Sequence, residues 1–137
     1  MIKNYIQAAR LRTLPLSVSG IIVGSAYAYS QGVFDVNILI LALLTTLTLQ
    51  VLSNFANDYG DGVKGTDANR VGEKRMVASG LITSAQMKKA VIITTVNSII
   101  LIVLLIYTAF GKENFGLSLL FLLLGVGASA AAIKYTV

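Results

Sequence analysis

The chain has 137 residues, of which 55% are hydrophobic and 12% charged, with a net charge of +5. Soluble domains carry about 25% charged residues, so this composition describes an integral membrane protein whose basic residues set topology rather than bind nucleic acid. It has no cysteine and no histidine, which excludes disulfides, thiolate or imidazole ligands and a histidine general base; any metal must be held by oxygen.

The N-terminal stretch Ile2-Lys3-Asn4-Tyr5-Ile6-Gln7-Ala8-Ala9-Arg10 puts Ile2, Tyr5, Ile6 and Ala9 on one helical face. That spacing suits a short helix lying on the membrane surface, and an ordinary juxtamembrane extension reads equally well. No small-residue cleavage pattern follows Arg10 and Arg12, so the segment does not read as a cleavable signal.

The first apolar segment runs from about Thr13 to Ser30, with Pro15 near its start, where proline costs a helix least. Its length of roughly 18 residues is close to the minimum for crossing a bilayer. Gly20, Gly24, Ser25 and Ala26 offer small surfaces for a neighbouring helix. The second segment covers about Val36 to Ala56, the third about Ala90 to Phe110 and the fourth about Phe115 to Ile133. The fourth carries Gly125, Gly127 and the run Ala128-Ser129-Ala130-Ala131-Ala132, again suited to close packing. Counted loop by loop, ten of the eleven basic residues fall on one side of these spans. The N-terminus and the loop 57–85 are therefore expected to face the cytoplasm.

That loop holds the chemistry. Three of the six carboxylates, Asp58, Asp61 and Asp67, fall within ten positions directly after the second apolar segment. Acids crowded at a low-dielectric boundary resist joint ionisation and call for a cation. A hard divalent ion with oxygen ligands, most simply Mg²⁺ carrying a phosphate-bearing substrate, meets that need. If the second helix continues into the loop, Asn54, Asp58 and Asp61 lie at i, i+4 and i+7, with Asn57 and Asp61 also four apart. Gly60, Gly62 and Gly65 are expected to let the backbone turn tightly and offer amides to an anion. Beyond them Arg70, Lys74 and Arg75 could neutralise phosphate, or act only as positive-inside residues. Thr83 or Ser84 should cap the third membrane helix.

Asn57-Asp58-Tyr59-Gly60-Asp61, Lys64-Gly65-Thr66-Asp67, Arg70-Val71-Gly72-Glu73-Lys74-Arg75 and Ser79-Gly80-Leu81-Ile82-Thr83 resemble the first aspartate-rich motif of the intramembrane aromatic prenyltransferases, the UbiA superfamily. The N-terminal Ala8-Ala9-Arg10-Leu11-Arg12-Thr13-Leu14-Pro15 is similar to the naphthoate branch of that family. The resemblance implies an all-α membrane protein, this chain contributing about four transmembrane helices to a bundle of about nine around a central cavity. It implies Mg²⁺ held by Asn57, Asp58, Asp61 and Asp67, with Asp58 and Asp61 essential to catalysis and Arg70, Lys74 and Arg75 on the diphosphate.

The implied reaction moves a polyprenyl group from its diphosphate to 1,4-dihydroxy-2-naphthoate, with decarboxylation, giving demethylmenaquinone in the inner (cytoplasmic) membrane. Two departures stand out. The general pattern places its last acid four positions after Asp61, where this chain has Gly65, and no second acidic cluster occurs. Residues 1–137 are thus expected to be the N-terminal portion of one transmembrane prenyltransferase domain, inactive alone. Rival readings are another aromatic acceptor such as 4-hydroxybenzoate, a CDP-alcohol phosphotransferase, or a small four-helix transporter. The phosphotransferase pattern continues Asp-Gly with Ala-Arg, whereas Asp61-Gly62 here is followed by Val63-Lys64, and an exporter needs an acid that the first segment lacks.

Overall fold

A computed structural model describes residues 1–65, 75–111 and 113–135. Helix α1 spans Ile2–Ala9, a single 3₁₀ turn spans Leu11–Thr13, and α2 spans Leu14–Ser30. Then come α3 (Val36–Lys64), α4 (Ser84–Phe110) and α5 (Phe115–Lys134). The architecture is all-helical among the described residues, with α3 packed on α2, α4, α5 and α1.

Helices α3, α4 and α5 are long and apolar enough to cross a membrane. The chain is an integral membrane protein. Helix α2, at 17 residues, reaches about 26 Å at 1.5 Å per residue, just short of a ~30 Å hydrocarbon core.

Local chemistry sets the ends of these helices. Asp35 starts α3, its Oδ1 accepting the amide hydrogens of Asn37 at 2.7 Å and Ile38 at 3.2 Å. Gly65, at φ 67°, stops it in the left-handed conformation. Thr83, rather than Ser84, starts α4 through a capping box: Gln86 N–H donates to Thr83 Oγ1 and Thr83 N–H to Gln86 Oε1. The cap places Lys88 and Lys89 inside α4, six residues ahead of the apolar boundary at Ala90, because a helix starts where its first amides find acceptors and not where charge ends.

The core lies at one end of the bundle. Ala8 and Ala9 of α1, Leu52 and Phe55 of α3, Met76 and Ile82 of the connection, and Met87 and Val91 of α4 are buried together. Tyr5 meets Phe55 edge-on at 6.3 Å. Helix α1 therefore packs on protein through Tyr5, Ala8 and Ala9 and leaves Ile2 and Ile6 exposed. Toward the other end the helices approach through small residues. A Cβ at Gly125 of α5 would lie 2.6 Å from Ile102 Cγ2 of α4, while Ser129 of α5 and Ser98 of α4 are buried. Elsewhere the spans present apolar side chains such as Ile93, Ile100 and Leu104 outward, a surface matched to lipid.

Candidate functional site

The last two turns of α3 carry the site. The helix runs on through Lys64, so residues 57–64, expected as loop, keep helical spacing and stack Asn54, Asp58 and Asp61 along one face. This corrects the reading of Gly60 and Gly62 as turn residues: both are helical, and Gly60 is buried. Gly62 is needed for a different reason. A Cβ there would stand 2.7 Å from Val77 Cβ, so only glycine lets the connection lie against α3. Gly65 alone of the three adopts the left-handed backbone that glycine favours.

Residues 76–80 form a tight turn closed by Ser79 N–H to Arg75 O, Gly80 N–H to Val77 O and Leu81 N–H to Met76 O. Its two leading amides point at α3. Met76 N–H donates to Asp58 Oδ2 and Val77 N–H to Asp58 Oδ1, each at 2.9 Å. Asp58 is only 1% exposed. A carboxylate on one helix thus caps a turn 18 residues downstream, satisfying donors that the turn itself cannot. One turn along α3, Asp61 Oδ2 lies 2.6 Å from Nη2 of Arg75, whose side chain is almost wholly buried. Charge assistance makes this the short, strong kind of contact.

Asn54 acts at the other side of the same face. Its Nδ2 donates to Ala9 O at 2.8 Å and to Thr13 Oγ1 at 3.3 Å, and the Thr13 hydroxyl donates to Arg10 O at 2.9 Å. This network fixes the α1–α2 corner, where Arg10 takes a left-handed backbone (φ 52°) that costs a side-chain-bearing residue about 1 kcal/mol. Asn4 Nδ2 ties α1 to the connection by donating to Leu81 O at 3.1 Å.

Asn57 is the remaining polar residue. Its Oδ1 is buried and accepts no hydrogen bond among the described residues. It sits one turn before Asp61, so an amide oxygen without a partner precedes a carboxylate on the same strip of helix. Hard oxygens of this type suit a divalent cation. Among the described residues no group of three or more acidic side chains is placed to hold a metal. Of the expected site residues, the fold brings Asn57, Asp58, Asp61 and Arg75 together, while Asp67, Arg70 and Lys74 lie outside the described residues.

The pairing of Asp58 with two backbone amides had no sequence signal, because no spacing rule links an acid to amides so far downstream. Likewise nothing local joined Asn54 to Ala9. The role of Gly62 in admitting the connection was also not legible, and the sequence read it as a turn residue.

A groove of about 440 Å³ opens beside the site between the end of α3, α4 and the end of α5, with Tyr59 and Lys88 at its polar rim and Val91, Ile92 and Val96 along its wall.

The sequence profile described as the UbiA prenyltransferase family matches residues 17–137. The chain is 45% identical over 134 residues to 1,4-dihydroxy-2-naphthoate octaprenyltransferase of Escherichia coli K12, covering 97% of this chain and 43% of that protein. It is 42% identical over 140 residues to the protein of the same name from Haemophilus influenzae, covering 99% and 44%. A protein of that name from Mycobacterium tuberculosis is 39% identical over 82 residues, covering 58% and 27%. The chain spans less than half the length of these curated relatives. No solved structure matches it significantly.

Proposed function

The chain belongs to the UbiA prenyltransferase family, and on that premise we propose that it is part of an enzyme that moves a polyprenyl group from polyprenyl diphosphate to 1,4-dihydroxy-2-naphthoate. The phosphotransferase and transporter readings fall away with that membership. The names of the relatives in Escherichia coli and Haemophilus influenzae support the acceptor. The observation that carries the reading is the 2.6 Å approach of Arg75 to Asp61, beside the unpartnered oxygen of Asn57. It supports a reading in which oxygens that would bind the metal lie next to a guanidinium that would bind phosphate, at one end of an apolar bundle.

In this reading Asn57 and Asp61, joined by Asp67, would hold the cation, and Arg75, with Arg70 and Lys74, would take the diphosphate oxygens. Bound Mg²⁺ would neutralise charge on the departing diphosphate. The allylic C–O bond breaks with its electron pair leaving on the diphosphate. The ring carbon bearing the carboxylate then attacks the allylic carbon. Loss of that carboxylate as carbon dioxide returns its bonding electrons to the ring, giving the quinol form of demethylmenaquinone. The arginine meets phosphate through a planar fork of donors, which favours bidentate contact. The apolar faces of α3 and α4 exclude water from the allylic cation and hold the polyprenyl tail. Loop charge supports a cytoplasmic position for this end of the bundle, in the inner membrane on this reading.

The test is transfer of labelled polyprenyl diphosphate to 1,4-dihydroxy-2-naphthoate in membranes containing the protein. Asp61→Ala should abolish Mg²⁺-dependent transfer while membrane insertion persists. Undiminished turnover in that variant refutes the assignment.

A further inference from the structure

We infer that Asp58 is a positioning residue outside the metal set: it clamps the backbone of the 76–80 turn and thereby decides where Arg75 presents its guanidinium. The inference rests on the reading above, in which Arg75 meets the diphosphate.

The two acids of α3 do different work. Asp58 is buried and each of its oxygens accepts one backbone amide hydrogen, from Met76 and Val77. Asp61, one turn nearer the helix end and 23% exposed, holds the guanidinium instead. Arg75 immediately precedes the two clamped amides, so a shift of the turn moves the arginine with it. Turning Asp58 toward a cation would strip acceptors from Met76, itself 3% exposed, and from Val77 beside it. Burial of Met76 keeps water from replacing the acceptor there. Asn57 Oδ1, by contrast, has no acceptor role to lose. The oxygens of Asp58 are therefore committed to the turn, and Asp58 acts through Arg75.

Amide exchange in the wild-type protein, followed by NMR, gives the first test. Met76 and Val77 should exchange slowly without metal and remain protected at saturating Mg²⁺. Loss of their protection when Mg²⁺ binds would mean that Asp58 leaves the turn for the ion, and the inference would be overturned.

The second test compares variants in lipid nanodiscs. Asp58→Asn keeps one acceptor oxygen but turns an NH₂ toward a donor, so exchange at these amides should rise about tenfold or more. Its Mn²⁺ affinity, read by EPR, should stay within about twofold of wild type, whereas Asp61→Asn should weaken it by an order of magnitude. KM for polyprenyl diphosphate should rise in Asp58→Asn, and Asp58→Asn/Arg75→Ala should be no worse than Arg75→Ala alone. A fall in Mn²⁺ affinity equal to that of Asp61→Asn, or fully additive effects in the double variant, overturns the inference. If Asp58→Asn fails to fold, the wild-type exchange measurement decides by itself. A wild-type protein that transfers no prenyl group would sink the functional reading, while the exchange and Mn²⁺ measurements would still report on Asp58.

Discussion

Oδ2 of Asp61 and Nη2 of Arg75 stand 2.6 Å apart, joining the last turns of α3 to the segment that leads into α4. The Arg75 side chain is almost wholly buried and that of Asp61 is 23% exposed, so losing either one removes a short charge-assisted contact. Asp61→Asn should cost about 1–3 kcal/mol of stability. Asp61→Asn/Arg75→Met should cost less than the sum of the two single substitutions, because either one alone already removes the contact between them. Thermal melts in detergent of the three variants check this, and full additivity would show that the two side chains are not coupled.

The same contact predicts an effect on catalysis. Asp61→Asn should reduce prenyl transfer by about 100-fold or more, the scale seen when one preorganised electrostatic group is lost. Arg75→Lys should not restore a wild-type KM for the diphosphate, since a point charge cannot reproduce the fork. Steady-state kinetics on both variants check this.

Gly62 lets the 76–80 turn rest on α3. Gly62→Ala should destabilise the protein by about 1–3 kcal/mol, as overpacking does in a filled interior. Its Cβ meets Val77 Cγ1 and Cβ, so adding Val77→Ala should recover part of the loss. No recovery would mean that the damage to α3 is local to the helix.

Asn54 holds the carbonyl of Ala9 and the hydroxyl of Thr13. Asn54→Leu leaves that buried carbonyl unpaired and should cost about 1–3 kcal/mol. The loss should appear first as faster amide exchange across α1. Thr13→Ala, which spares the bond to Ala9, should cost less.

At the α4–α5 contact, Gly125→Val should force apart two helices that meet through Ile102, and Ile102→Ala should compensate. The size expected is about 1–3 kcal/mol, read as a shift in melting temperature. Gly127 faces open space, so Gly127→Ala should be nearly neutral.

The sequence made much of the fold legible because its signals are local or periodic. Long apolar runs bounded by charge marked the helices, and a cap at Thr83 or Ser84 marked the start of α4, which the structure gives to Thr83. The acid and amide spacing from Asn54 to Asp61 described a single face, conditional on the helix continuing, and α3 does continue through Lys64. What the glycines at 60 and 62 do was misread, because a glycine that admits a neighbour and a glycine that turns the chain look identical in a sequence.

By itself, then, the amino-acid order determined a helical membrane protein with most of its bases and a cluster of acids expected at one end, since hydropathy, charge balance and i, i+4 spacing act over a few residues. Only the tertiary structure decided which group each acid meets. Asp58 takes the amides of Met76 and Val77, Asp61 takes Arg75, and Asn57 keeps an unclaimed oxygen. Those partners are 14 to 19 residues away, and their choice depends on how close Gly62 lets two segments come. Hydrogen-bond geometry across such a contact is set by packing in three dimensions, for which spacing along the chain carries no code.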